Sequence, residues 1–335
     1  MTDIDERWGE LQSFINRSRK LIITTHLNPD GDAIGSEIAM ATYLQHLGKD
    51  VIIVNSDRIP DYFRFLAQNI KVSQYDQHQH DALIRACDGC FVVDTSEWKR
   101  LGEISNSLKT FQIPIFCLDH HLESTKLSEA SIIDDTASCT GELIYDFLSD
   151  TRAQFTIEIV DALYTCVLTD TGSFKFSNTS PKTHQMAANL LAKGARFQHI
   201  FSEIYESDSK ARSWLKGHLL ASMKFDHNDK LAWFVLSQDL LRRTGAEEWE
   251  AEGFSELPRF VKGIEISVMF TETKNGFAKA SFRSKGRIPV SDLAKQFGGG
   301  GHKYAAGATL DWPLQESIQR VIGATGDYLK RHSRE

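Results

Sequence analysis

Three times in the first 121 residues, a short apolar run rich in β-branched residues ends on acidic or imidazole side chains. Leu21-Ile22-Ile23-Thr24-Thr25 leads into His26, with Asp30 and Asp32 close behind; Phe91-Val92-Val93 leads into Asp94; Ile113 to Leu118 leads into Asp119-His120-His121. Runs of this length and composition read as buried strands. Between the first of them and Val51-Ile52-Ile53-Val54, residues 33–47 carry Ile34, Ile38, Tyr43-Leu44 and Leu47 at helical spacing, and Gly48 follows as a stop. Strand, helix and strand in alternation predict an α/β fold with a parallel, doubly wound sheet. Ligands of such sheets gather at the carboxyl ends of the strands, which is where the acidic and imidazole residues fall.

A chain of 335 residues suits two domains. Residues 138–147 and 157–167 carry helical patterns, the second running into Asp170, and Pro181 opens a further helix that stops at Gly194. From about Phe197 to Phe225 the pattern is charged and helical. The second half changes character. Leu231 to Leu236 reads as a strand. Ile264 to Phe270 alternates with period two, and Lys274-Asn275-Gly276 is a turn into a hairpin partner, Phe277 to Arg283. A short helix over 289–297 precedes Gly298-Gly299-Gly300-Gly301-His302, and Ala305 to Ala308 reads as a core strand. These signals divide the chain into a first domain over 1–195, a helical linker over 196–227 and a smaller α/β domain with a mixed sheet over 228–335.

His26, Asp30, Asp32, Asp94, His120 and Asp170 form a donor set of carboxylate and imidazole without thiolate. That set suits a hard divalent cation; the carboxylates point to Mn²⁺ or Mg²⁺ and the histidines tilt the choice to Mn²⁺. Pro29 fixes one φ angle and Gly31 permits an unusual one, so the loop can aim several side chains inward. Taken singly, Asp94 could cap a helix and Asp30 with Asp32 could be a simple turn. Two adjacent histidines at a strand end rarely serve packing, and together the clusters fit two cations about 3.5–4 Å apart with Asp94 between them. In the second half, glycine amides at 299–301 can approach an anion closely, with Lys279, Arg283, Lys285, Arg287 and Lys303 nearby. The bland alternative there is a glycine hinge beside a solvated basic face.

The net charge of −7 argues against a protein that coats long nucleic acid. No apolar run reaches the roughly 18 residues needed to span a bilayer. Five scattered cysteines and no signal peptide point to a reducing cytoplasm. Cys87 and Cys90 form a C-x-x-C without the second pair that a zinc site needs.

The combination resembles the DHH phosphoesterases, and within them the bacterial oligoribonuclease branch of the NrnA type. The resemblance covers nearly the whole chain. It rests on His26 to Ser36, Val92-Val93-Asp94-Thr95, Asp119-His120-His121, Leu168 to Gly172 and Gly299 to His302, in that order. It implies that His26, Asp30 and Asp94 hold one metal, and that Asp32, Asp94, His120 and Asp170 hold the other. It also implies that His121 faces the substrate phosphate and that Asp119 orients a histidine ligand. Arg283 and His302 would contact phosphate from a DHH-associated domain closing over the metals. Lys175 stands where the family pattern has arginine.

The implied reaction is hydrolysis of short oligoribonucleotides to mononucleotides, and of 3′-phosphoadenosine 5′-phosphate (pAp) to AMP. A hydroxide generated between two metals would attack phosphorus in line. Alternatives are a phosphodiesterase for linear pApA or cyclic dinucleotides, a manganese inorganic pyrophosphatase, and an inactive nucleotide-binding regulator. Exposed helices could support a homodimer.

Overall fold

The computed structural model describes residues 6–121 and 127–332, in two compact units divided between Ser207 and Asp208. The first unit runs α1 (Gly9–Arg17), β1 (Lys20–Thr24), α2 (Gly31–His46), β2 (Asp50–Asn55), β3 (Val72–Gln74), α3 (Gln77–Arg85), β4 (Gly89–Val93), α4 (Ile104–Thr110), β5 (Ile115–Asp119), β6 (Ser131–Ile133), α5 (Thr140–Asp150), α6 (Ile157–Asp170), α7 (Pro181–Ala192) and α8 (Phe197–Tyr205). Its six strands are all parallel in the order β3-β2-β1-β4-β5-β6. Order reverses between β1 and β4, so the crevice outside their carboxyl ends is the topological switch point. His26 lies two residues past β1 and Asp94 one residue past β4.

Helix α2 decides how tightly this crevice is built. Every residue from Gly31 to Leu44 is buried, the polar Asp32, Ser36, Glu37 and Thr42 included. It lies against α6 because glycine lets it: a Cβ on Gly31 would meet the Thr169 side chain at 2.5 Å, and one on Gly35 the Ala162 carbonyl and Cys166 Sγ at 2.5 Å. This corrects the expectation for Gly31, which has an ordinary helical backbone; the left-handed residue of the loop is Asn28, at φ 52°. Trp8, Phe14, Phe91, Phe116 and Phe147 fill the core beneath.

The second unit runs α9 (Lys210–Ala221), β7 (Lys224–Asp226), β8 (Leu231–Leu236), α10 (Gln238–Thr244), β9 (Ile266–Glu272), β10 (Phe277–Ser284), α11 (Ser291–Lys295), β11 (Gly300–His302), β12 (Ala305–Pro313) and α12 (Leu314–His332). Its sheet, β11-β12-β10-β9-β8-β7, is mixed: β8 and β9 are parallel and the other pairs antiparallel. Within the expected linker, α8 buries Ile200 in the first core, whereas α9 buries Leu215 and Leu219 against Phe234 in the second. Among the described residues, no helix is long and apolar enough to cross a membrane.

Candidate metal centre

Asp94 is the hub. It is buried and sits at φ 63°, a left-handed conformation that aspartate tolerates better than most residues. Its two carboxylate oxygens face different imidazoles. Oδ2 lies 3.2 Å from His26 Nε2, and Oδ1 lies 3.6 Å from His120 Nε2. The partners of the other ring nitrogens assign the tautomers. His26 Nδ1 lies 2.8 Å from the Leu27 carbonyl and His120 Nδ1 3.3 Å from that of Ala137. A carbonyl only accepts, so both Nδ1 atoms carry a proton, and Nε2 is in each ring the nitrogen turned toward the carboxylates.

His120 Nε2 is buried without a hydrogen-bond partner. It also faces Asp32 Oδ2 at 3.8 Å and Asp170 Oδ2 at 3.7 Å. A buried ring nitrogen without a hydrogen-bond partner, ringed by three carboxylates, is unfavourable unless a cation lies among them. The acids register the same strain. Burial, then the charges of Asp32, Asp30, Asp170 and Asp119, push Asp94 well above the carboxylate range. Burial, then Asp32 and Asp30, push Asp170 up to about 8. Burial lowers His26, favouring the neutral, ligating form. Asp30 stands beside His26 and Asp94 while its Oδ1 also caps α2 through the amides of Asp32 and Ala33. The residues present therefore fit two divalent cations sharing Asp94.

The last pair divides differently from expectation. Asp119 Oδ1 accepts from His121 Nδ1 at 2.8 Å and from the His121 amide at 3.1 Å. Asp119 thus orients His121, whereas His120 is oriented by a backbone carbonyl. Burial raises the Asp119 acid, but the hydrogen bond and charge of His121 outweigh it and hold the group below its ordinary value. His121 Nδ1 is also 3.7 Å from Asp94, but its proton is already given to Asp119, and the side chain is 38% exposed.

Three further residues hold the carboxylates of this centre. Thr140 donates its hydroxyl to Asp94 Oδ1 at 3.0 Å and its amide to Asp32 Oδ2 at 2.6 Å; the Gly141 amide donates to Asp32 Oδ1 at 2.9 Å. Asn178 Nδ2 donates to Asp170 Oδ2 at 3.1 Å and to the Ser138 carbonyl at 2.9 Å. A Thr-Gly pair at a helix start was the available signal for the first two. Lys175 lies over the Phe176 ring. Cys87 and Cys90 are not bonded to each other, and burial pushes the Cys87 thiol up to about 11, away from redox reactivity.

In the second unit, Arg283 on β10 donates from Nε to Glu256, which also pairs with Arg259. Arg287 pairs with Glu265. The Gly299 amide is already bound to the Ala294 carbonyl at 3.0 Å, so it is not a free anion donor. Glycine is needed there because a Cβ would run into the Gly307 carbonyl, and at Gly301 because φ is 137°. Gly300, Gly301 and His302 pair with Gly307, Ala306 and Ala305 of β12 as an edge strand. The His302 side chain lies outside the described part.

Residues 20–169 match the DHH family, N-terminal domain, and residues 235–330 match the DHHA1 domain. The bifunctional oligoribonuclease and PAP phosphatase NrnA of Thermus thermophilus is 31% identical over 315 residues, which are 93% of this chain and 90% of that protein. The protein of the same name from Bacillus subtilis is 24% identical over 96% of this chain and 99% of its own length. The crystal structure of an exopolyphosphatase-related protein from Bacteroides fragilis superimposes with a TM-score of 0.89 at 26% identity, covering 98% of this chain and all of that one. The chain belongs to the DHH family of phosphoesterases. Within it, the chain is similar along nearly its whole length to the NrnA proteins.

Proposed function

We propose that this protein is a metal-dependent hydrolase that cleaves short oligoribonucleotides to mononucleotides and pAp to AMP. The observation that carries this is Asp94, with one oxygen toward His26 and the other toward His120. The names of relatives that match over nearly the full length support the substrates, and the match through the second unit favours them over pyrophosphate.

In this reading His26, Asp30 and Asp94 hold one cation, and Asp32, Asp94, His120 and Asp170 the other. Manganese suits the mixed imidazole and carboxylate donors better than magnesium. Such cations, when bound, supply an activated water and offset charge developing on the phosphate. His121, fixed by Asp119, turns its Nε2 toward the substrate and stabilises that charge. In the second unit, Arg283 grips phosphate with its planar fork by exchanging Glu256 for the ligand, with His302, Gly300 and Gly301 as further contacts. The proposed setting is the cytoplasm.

The test is incubation of a labelled dinucleotide and of pAp with the Mn²⁺-loaded protein. Mononucleotide and AMP should appear with the wild type and not with His120→Ala. Equal product from both proteins, or none from either, rejects the reading.

A further inference from the structure

Helix α5 begins at Thr140 with no side-chain cap from Cys139, yet its first amides are not left unpaired. They are taken by Asp32, which reaches across from α2 and places Oδ2 on the Thr140 amide at 2.6 Å and Oδ1 on the Gly141 amide at 2.9 Å. The positive end of an 11-residue helix therefore faces a fully buried carboxylate and offsets part of its charge. The Thr140 hydroxyl adds a bond of 3.0 Å to Asp94 Oδ1, the oxygen that faces His120. Thr140 is itself completely buried. Each carboxylate oxygen has two lone pairs, so these bonds fix orientation and leave a pair for a cation.

We propose that Thr140 is a positioning residue for the whole dinuclear centre. Its amide sets Asp32, which serves one cation, and its hydroxyl sets Asp94, which serves both. The proposal rests on the two-cation reading. Asp94 gains particular benefit, because a left-handed backbone alone does not choose the side-chain rotamer. Partners that orient ligand side chains typically carry 10- to 100-fold in metal affinity.

The experiment is calorimetric titration of Mn²⁺ into metal-stripped wild type, Thr140→Val and Thr140→Ser, with thermal unfolding in EDTA as the check of folding. Valine keeps the shape and removes the hydroxyl; serine keeps the hydroxyl. Thr140→Val should bind Mn²⁺ about 10- to 100-fold more weakly, and Thr140→Ser should stay within about threefold of wild type. With Mn²⁺ raised to saturation, the KM of Thr140→Val for a dinucleotide should match wild type, because the residue acts through the metal ligands. Should Thr140→Val not fold, Thr140→Ala against Thr140→Ser makes the same comparison. Wild-type affinity in a variant lacking the hydroxyl overturns the proposal, as does an equal loss in Thr140→Ser. Failure of the wild type to take up Mn²⁺ at all would instead bring down the two-cation reading beneath it.

Discussion

Glu37 lies wholly buried in the middle of α2, with Oε2 accepting from Asn55 Nδ2 at 2.9 Å and Oε1 unpaired. Asn55 Oδ1 in turn accepts from the Thr25 amide at 3.2 Å, so this acid supports the backbone that presents His26. Burial pushes it from 4.5 up to about 8. The folded value is the higher one, so the contribution of the protonated acid is fully present below pH 4.5 and is lost as pH rises toward 8. Over that window the group takes away about 1.4 kcal/mol of stability per pH unit. Glu37→Gln keeps an acceptor for Asn55 and cannot ionise. Its urea stability should match wild type near pH 4.5 and exceed it increasingly up to pH 8. A difference that does not change with pH would contradict this. No motif marks Glu37, because a helix pattern does not say that its charged residue faces inward.

At the scale of elements, the packing of α2 on α6 joins the helix start bearing Asp30 and Asp32 to the helix end bearing Asp170. Gly35→Ala places a methyl against the Ala162 carbonyl, which cannot step aside as a side chain could. Overpacking of this kind costs about 1–3 kcal/mol, more than the ~1 kcal/mol alanine returns as a helix former. The urea midpoint should fall and activity with it; an unchanged midpoint would show that the helices have room. The sequence patterns place β1, β4 and β5 because buried parallel strands are apolar and continuous, and α2 because its apolar residues fall at helical spacing. They gave no reason for the glycines, since close approach between elements distant in sequence leaves no local trace. Local pattern therefore points to backbone freedom at Gly31 and says nothing of Thr140. Helix α12 carries a helical pattern in Ile318, Val321, Thr325, Tyr328 and Leu329 and no motif. Strands β3 and β6, of three residues each, are too short to announce themselves.

The whole molecule comprises two compact units. The first brings His26, Asp30, Asp32, Asp94, His120 and Asp170 into one crevice, and almost all of that gathering is legible because acidic and imidazole residues stand out at strand ends. The second was legible as a mixed sheet with a glycine-rich edge, but its polar pairing was not. The Glu256 link to Arg283 and the commitment of the Gly299 amide depend on partners that no spacing announces. Arg283→Ala should raise the KM for a dinucleotide about 10- to 100-fold, as loss of a charge-assisted bond implies, with kcat changing far less. An unchanged KM would remove Arg283 from substrate binding.

Sharing of Asp94 between two cations fixes the number of Mn²⁺ ions bound per chain when metal-stripped protein is reloaded. Two ions per wild-type chain, with both lost from Asp94→Ala, is the expected result. One ion or none in the wild type, or two still held by Asp94→Ala, would contradict it.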